Sequence, residues 1–293
     1  FMGSFSDFKK RSKGSISDLT AKLEQMNKKD SYKDERFWTA QRDSSGNGYA
    51  VIRFLPASDG NDLPWAKFFE HSFQGVGGWY IEKSRTTLNE KDPVSEMNSR
   101  LWNSGVESDK DIARSRKRQT RYVSNIMVIS DPANPENEGK VFLYRYGPKI
   151  FNKIQEAMQP EFQDEEPLNP FDFWSGADFK LKIRKVGGYV NYDKSEFATP
   201  SELFEGDDSA LERVWKSQHS LSEFTDPTTF KTYDELKTKL DTVIGSDPRN
   251  SAPEVQETVE DTTESAPTFD TDSTESSNKQ STLDYFNDLA NED

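Results

Sequence analysis

Apolar and polar residues alternate over several stretches in the middle of the chain, and recur at helical spacing over a few others. Tyr49–Leu55 is rich in apolar and β-branched residues and lies between Gly46-Asn47-Gly48 and Pro56, which predicts a strand. Lys67–Phe73 and Trp79–Lys83 predict two more, joined by a turn containing Gly75, Gly77 and Gly78. Tyr122–Ile129, Val141–Tyr146 and Phe179–Val186 follow, and Gly187-Gly188 before Tyr189–Tyr192 is a hairpin signal. Pro148 opens a helix with Ile150, Phe151, Ile154 and Met158 on one face. Leu211, Val214 and Trp215 suggest a second helix. Thr232 and Glu235 form a capping box for a third, with Leu236, Leu240 and Val243 inward and Gly245 as its stop. Ser15 and Asp18 resemble a capping box for an earlier helix bearing Leu19, Leu23 and Met26. Between Ser84 and Lys110 no period stands out, so an irregular insertion is expected there. Short strands with few helices predict a mainly β fold with accessory helices (α+β), built on a small closed barrel.

The two ends do not share this pattern. Residues 1–14 are polar, basic and rich in Gly and Ser, and residues 1–22 carry a balance of +3. After Gly245 apolar residues nearly vanish, and residues 246–293 carry a balance of −11. Such a composition cannot offset the entropy of ordering, so a flexible basic arm and a disordered acidic tail are expected. Leu283, Phe286 and Leu289 stand among acids near the end of the tail and have the character of a short partner-docking peptide. The resulting division is 1–22, 23–245 and 246–293, with 60–110 as an insertion within the core. The net charge of −14 alone argues against a nucleic-acid partner, yet Lys110–Arg121 is an island of +5. Blocks of charge like these act as interaction segments. There are no cysteines, which excludes disulfides, thiolate catalysis and cysteine–zinc sites. No secretory signal or membrane span is read, and cytoplasm is the expected compartment.

Catalysis finds no support. His71 and His219 are the only histidines, and no HExxH, GxSxG or GxxxxGK pattern is present. The basic island leads straight into a strand beginning at Tyr122, and its cations include Arg116, Lys117, Arg118 and Arg121. Tyr144-Arg145-Tyr146 repeats the mixture, as do Lys182, Arg184 and Lys185 before Tyr189 and Tyr192. Arg53 sits inside an apolar strand, where a buried guanidinium needs a partner. Cations that follow phosphates, interleaved with rings that stack on unpaired bases, are what single-stranded nucleic acid requires. Core packing is the competing role for the tyrosines, and a solvated loop for the island. An acidic-tailed interaction scaffold and an RNA-binding barrel protein remain alternatives.

The run Tyr49-Ala50-Val51-Ile52-Arg53-Phe54-Leu55-Pro56 resembles a segment of the gene-32-type single-stranded DNA-binding proteins of T-even-like phages. So do Asp131–Phe142, with its Pro135-Glu136-Asn137-Glu138-Gly139-Lys140 core, Tyr144-Arg145-Tyr146-Gly147 and Asn191-Tyr192-Asp193. The likeness runs through about residues 8–245. It implies an OB-fold core that binds single-stranded DNA independently of sequence, in replication, recombination and repair in the infected bacterial cytoplasm. It implies head-to-tail self-association through a basic triplet, matched here by Lys9-Lys10-Arg11-Ser12. It also implies an acidic tail that recruits replication and recombination proteins such as a polymerase, a helicase loader and a recombinase mediator. DNA contacts carried over are Arg53, Lys117, Arg118, Tyr122, Tyr144, Arg145, Tyr146, Tyr189 and Tyr192. Known members hold zinc with one His and three Cys. His71 matches the histidine, but Ser84, Asp92 and Ser95 stand at the cysteine positions. No zinc is therefore expected, and packing of Phe73, Trp79, Tyr80 and Trp102 is expected to hold that region instead. Val123 stands where a further aromatic is expected, and Trp102 is the candidate substitute.

Overall fold

The computed structural model describes residues 34–58, 62–162 and 164–245. The chain divides into two compact units, Phe1–Phe37 and Trp38–Asp293. Of the first, only residues 34–37 are described, and there Arg36 pairs with Asp34 at 2.6 Å. A two-residue strand, β1 (Phe37–Trp38), lies at the junction. Everything below concerns the second unit.

Its elements run β2 (Gly48–Phe54), β3 (Ala66–Gly75), β4 (Gly78–Lys83), α1 (Pro93–Asn103), α2 (Glu107–Ser115), β5 (Gln119–Ser130), β6 (Val141–Tyr146) and α3 (Pro148–Met158). Then come β7 (Phe179–Val186), β8 (Tyr189–Asn191), β9 (Glu196–Phe197), α4 (Asp208–Lys216) and α5 (Tyr233–Ile244). Strands pair antiparallel in the order β6-β5-β2-β7-β8, with β9 also on β7. The twelve-residue β5 is the hub. Its start pairs with β3, from Ala66 opposite Val123 to Glu70 opposite Gln119, and β3 in turn pairs with β4. Its later residues pair with β2. Among the described residues no strand pairing closes this path into a ring.

Alternation along these strands sorts side chains to two faces. On one face Tyr122, Ile126 and Val128 of β5 meet Ile52, Phe54, Phe179, Leu181 and Ile183, and Ile150, Phe151 and Ile154 of α3 cover them. Fully burying each such side chain contributes about 1.5–3 kcal/mol. On the other face Leu55 and Met127 pack with Phe173, Leu203, Leu211 and Val214. The Asp131–Lys140 segment, the most family-like stretch, is a structural turn. The Asp131 carboxylate is buried and accepts from Trp38 Nε1 at 2.9 Å, from Asn137 Nδ2 at 3.0 Å and from the Asn134 amide at 3.2 Å.

The region read as an irregular insertion contains two helices. Asp92 caps α1 through the Val94 and Ser95 amides, Pro93 occupies its first turn, and Val94, Met97 and Leu101 face inward. They build a separate core with Phe73, Tyr80 and Leu236, Leu240 and Val243 of α5. The capping box expected at Thr232 and Glu235 is formed. The end of α5 presses on the β3–β4 turn so closely that a Cβ on Gly77 would stand 2.0 Å from the Thr242 carbonyl oxygen. The helix expected after Ile16 lies outside the described residues. Among the described residues no helix is long and apolar enough to cross a membrane.

Candidate nucleic-acid interface

Strands β3, β5 and β6 bring much of the basic island against aromatic rings. The Arg118 guanidinium lies 3.6 Å from the Phe69 ring centroid, and its Nη1 donates to Thr86 Oγ1 at 2.7 Å. Lys67, opposite Tyr122 in the ladder, places its ammonium 5.7 Å from the same ring. Arg116 lies over Phe73 at 5.3 Å and Arg145 over Phe68 at 5.4 Å. Each such contact contributes about 0.5–2 kcal/mol and restrains a side chain that otherwise samples many rotamers. Arg121 donates from Nε to Glu70 Oε1 at 2.6 Å, and Arg145 donates from Nη2 to Glu70 Oε2. Burial holds both guanidinium groups below the ordinary arginine value, yet arginine stays charged at neutral pH. Lys117 is exposed in the α2–β5 connection. Lys67, Phe69 and Glu70 were missed in the sequence; the available signal was two charged residues flanking the Phe68-Phe69 pair of a predicted strand.

Several of the expected DNA contacts are buried in the structure. Arg53 is 1% exposed. Its Nη2 donates to the Ser201 carbonyl at 2.6 Å and the Asp172 carbonyl at 3.2 Å, and its Nη1 pairs with Asp178 at 3.3 Å. It ties β2 to the loops around 172–178 and 201. Tyr122, Tyr144 and Tyr146 are buried. Tyr122 stacks on Phe151 at 3.9 Å and on Tyr146 at 5.8 Å and is only 7% exposed. Tyr144 lies between Trp38 and Tyr146, and the Tyr146 hydroxyl is bonded to Ser124 Oγ at 2.8 Å. Removal from water pushes both hydroxyls well above the usual tyrosine value. These three rings are core, with no face free for a base in this conformation.

Tyr189 and Tyr192 differ in exposure. Tyr189, beside the Gly187-Gly188 turn, is 56% exposed, whereas Tyr192 is half-buried against the main core. Trp102 packs on the α1–α5 core rather than beside Val123, and Lys110 and Arg114 lie 5.9 and 5.4 Å from its ring. Val123 is wholly buried and offers no platform. Lys9, Lys10, Arg11, Ser12, Leu283, Phe286 and Leu289 lie outside the described residues.

The residues at the zinc positions do not fit zinc. Zinc sites of this kind need thiolates or neutral imidazoles with free lone pairs, and two of the four groups here are hydroxyls. The others are engaged. Asp92 Oδ1 accepts from Val94 and Ser95 amides at 3.1 and 3.0 Å, and Oδ2 from the Arg85 amide at 3.1 Å. His71 Nδ1 is 3.0 Å from the Arg116 carbonyl oxygen, and its Nε2 is 3.3 Å from Asp92 Oδ1. Ser84 Oγ is bonded to Thr86 Oγ1 at 2.9 Å. A hydrogen-bonded knot occupies the place, with Phe73 stacked on Tyr80 at 5.1 Å beside it. Of the aromatics expected to hold this region, Trp79 is instead 57% exposed.

A family model described as "gp32 DNA binding protein like" matches residues 46–244. The single-stranded DNA-binding protein of Enterobacteria phage T4 is 38% identical over 243 residues, covering 82% of this chain and 80% of the relative. Its counterpart from Enterobacteria phage T2 is 37% identical with the same coverage. The single-stranded DNA-binding protein of Escherichia phage SV14 is 36% identical over 95 residues, 32% of this chain and 84% of the relative. The chain belongs to the gp32-like DNA-binding protein family.

Proposed function

We propose that this protein binds single-stranded DNA stoichiometrically, without turnover and largely without regard to sequence, through an OB-type core. The observation that carries the reading is the pair of cation–ring groups that β3 holds: Lys67 and Arg118 about Phe69, and, with Phe68 and Glu70, Arg121 and Arg145 from the neighbouring strands. Phosphate contacts fall to these four together with Lys117, while Arg116 backs them over Phe73. Base stacking falls to rings that keep a free face, Tyr189 first and the edge of Tyr192 second. Trp102, under Lys110 and Arg114, belongs to the flank of this surface. Selective binding of the unpaired form shifts duplex melting by mass action. Residues 1–22, through Lys9, Lys10, Arg11 and Ser12, link neighbouring copies head to tail. Residues 246–293 recruit replication and recombination proteins through Leu283, Phe286 and Leu289, in the cytoplasm of an infected bacterium.

The test is titration of intrinsic tryptophan and tyrosine fluorescence with oligo-dT at increasing salt. Each neutralised phosphate on a single strand contributes about −0.7 to the slope of log K against log salt, so four to five contacts give a slope near −3. Absent quenching, or an affinity indifferent to salt, refutes the reading. A matched oligo-U titration separates DNA from RNA preference.

A further inference from the structure

Glu70 is the anomalous residue of β3. Its side chain is only 7% exposed, and a buried carboxylate is costly unless cations satisfy it. Two do, one on each oxygen: Arg121 Nε on Oε1 at 2.6 Å and Arg145 Nη2 on Oε2. The two arginines come from adjacent strands. Val123 stands opposite Arg145 and Tyr122 opposite Tyr146, so Arg121 lies diagonally across from Arg145. A carboxylate beneath them is what lets two like charges sit so close.

Both guanidinium groups nevertheless keep an open side, with side-chain exposures of 31% for Arg121 and 42% for Arg145. Each carries five N–H donors in a fixed plane. Glu70 and Gln119 engage two of those on Arg121, and Glu70 engages one on Arg145. Packing over Phe68 at 5.4 Å fixes the Arg145 plane. Two guanidinium ions over one carboxylate leave a single net positive charge, the complement of one phosphodiester. Gly147 widens the approach: a Cβ there would meet only Arg121 Nη1, at 4.0 Å. It precedes α3, whose first turn carries no acid and no side-chain cap, so the adjoining field favours an anion.

We propose that Arg121 and Arg145, yoked by Glu70, form a clamp for one phosphodiester of the bound strand, with Glu70 as the positioning residue. The clamp rests on the nucleic-acid reading above. Its signature is coupling. Affinity for oligo-dT is measured across salt for the wild type, Arg121→Gln, Arg145→Gln and the double variant. Losing one charged hydrogen-bond set costs about tenfold in affinity, and one phosphate contact is worth about 0.7 in slope. A shared phosphate makes each single variant lose about tenfold and the double lose little more, with the slope reduced by about 0.7 in all three. Additive losses, with a slope change of about 1.4 in the double, mean two independent cations and overturn the clamp.

In a Glu70→Gln background, which keeps both arginines, the two losses become additive. If Glu70 only supports the fold, melting temperature drops while the coupling persists, and its positioning role is refuted. Should Glu70→Gln fail to fold, Arg145→Lys carries the test. The clamp needs planar donors, so lysine loses as much as glutamine; a free cation would be rescued by lysine. Wild-type protein that does not bind oligo-dT removes the nucleic-acid reading itself, whereas tight wild-type binding with additive arginines removes only the clamp.

Discussion

Replacing Asp92 by alanine tests the idea that a hydrogen-bonded knot holds the α1 region. The carboxylate is 1% exposed and serves four groups: the Val94, Ser95 and Arg85 amides and the His71 ring. Loss of the helix cap costs about 1 kcal/mol. Orphaning the part-buried Arg85 amide and the buried His71 nitrogen adds about 1–3 kcal/mol for each. The total, about 3–7 kcal/mol, is a large share of the about 5–15 kcal/mol that holds a domain folded. Asp92→Asn keeps a capping oxygen and loses only the charge-assisted bonds, so about 2 kcal/mol is expected. Urea unfolding measures both, as a lower midpoint at unchanged slope.

The acid side supplies a second readout. Burial is the largest influence on Asp92 and pushes its carboxyl up, but hydrogen bonds from His71 and from the Ser95 and Arg85 backbone together outweigh it. The net result holds the group below its ordinary 3.8. A carboxyl lowered on folding stabilises the native state above its unfolded value, and that stabilisation is lost as pH falls through the folded value. The gap between wild type and Asp92→Asn therefore closes as pH drops below about 3.8. An Asp92→Ala protein within about 1 kcal/mol of wild type, or a gap that widens in acid, refutes the knot.

Arg53→Met leaves the Ser201 and Asp172 carbonyls and Asp178 without their shared cation. We expect a loss of about 3–5 kcal/mol in urea unfolding, with oligo-dT affinity of the folded fraction unchanged. Gly77→Ala drives a methyl into the Thr242 carbonyl. The predicted cost is about 1–3 kcal/mol, and circular dichroism melting should show it.

Much of the scaffold was legible because it is written in local periodicity. Val141–Tyr146 and Phe179–Val186 form the strands expected, and Thr232 with Glu235 caps α5, since alternation and capping are properties of a few neighbouring residues. Helix α1 carries only a short apolar stripe, Val94, Met97 and Leu101 behind the Asp92-Pro93 start, among polar neighbours that mask its period. Helix α2 gave less warning, because Ala113 is its one buried residue and no side chain caps it. The candidate site was half legible. A cluster of arginines and tyrosines stood out, but which ring packs and which stays open was invisible.

That limit has a physical origin. Strand alternation states that Tyr122, Tyr144 and Tyr146 share a face, as does every residue two positions on. It does not state what lies across that face, and Phe151 of α3 and Trp38 are what seal it. Charge blocks, the cysteine-free composition and the element order belong to the chain itself. The partners of Arg53, 119 to 148 residues away, and the carboxylate joining Arg121 to Arg145 from 51 and 75 residues away exist only once the strands have met. Electrostatic pairing acts over a few ångströms in space and is blind to distance along the sequence, so tertiary contact alone decides which cations are spent inside and which remain for a ligand.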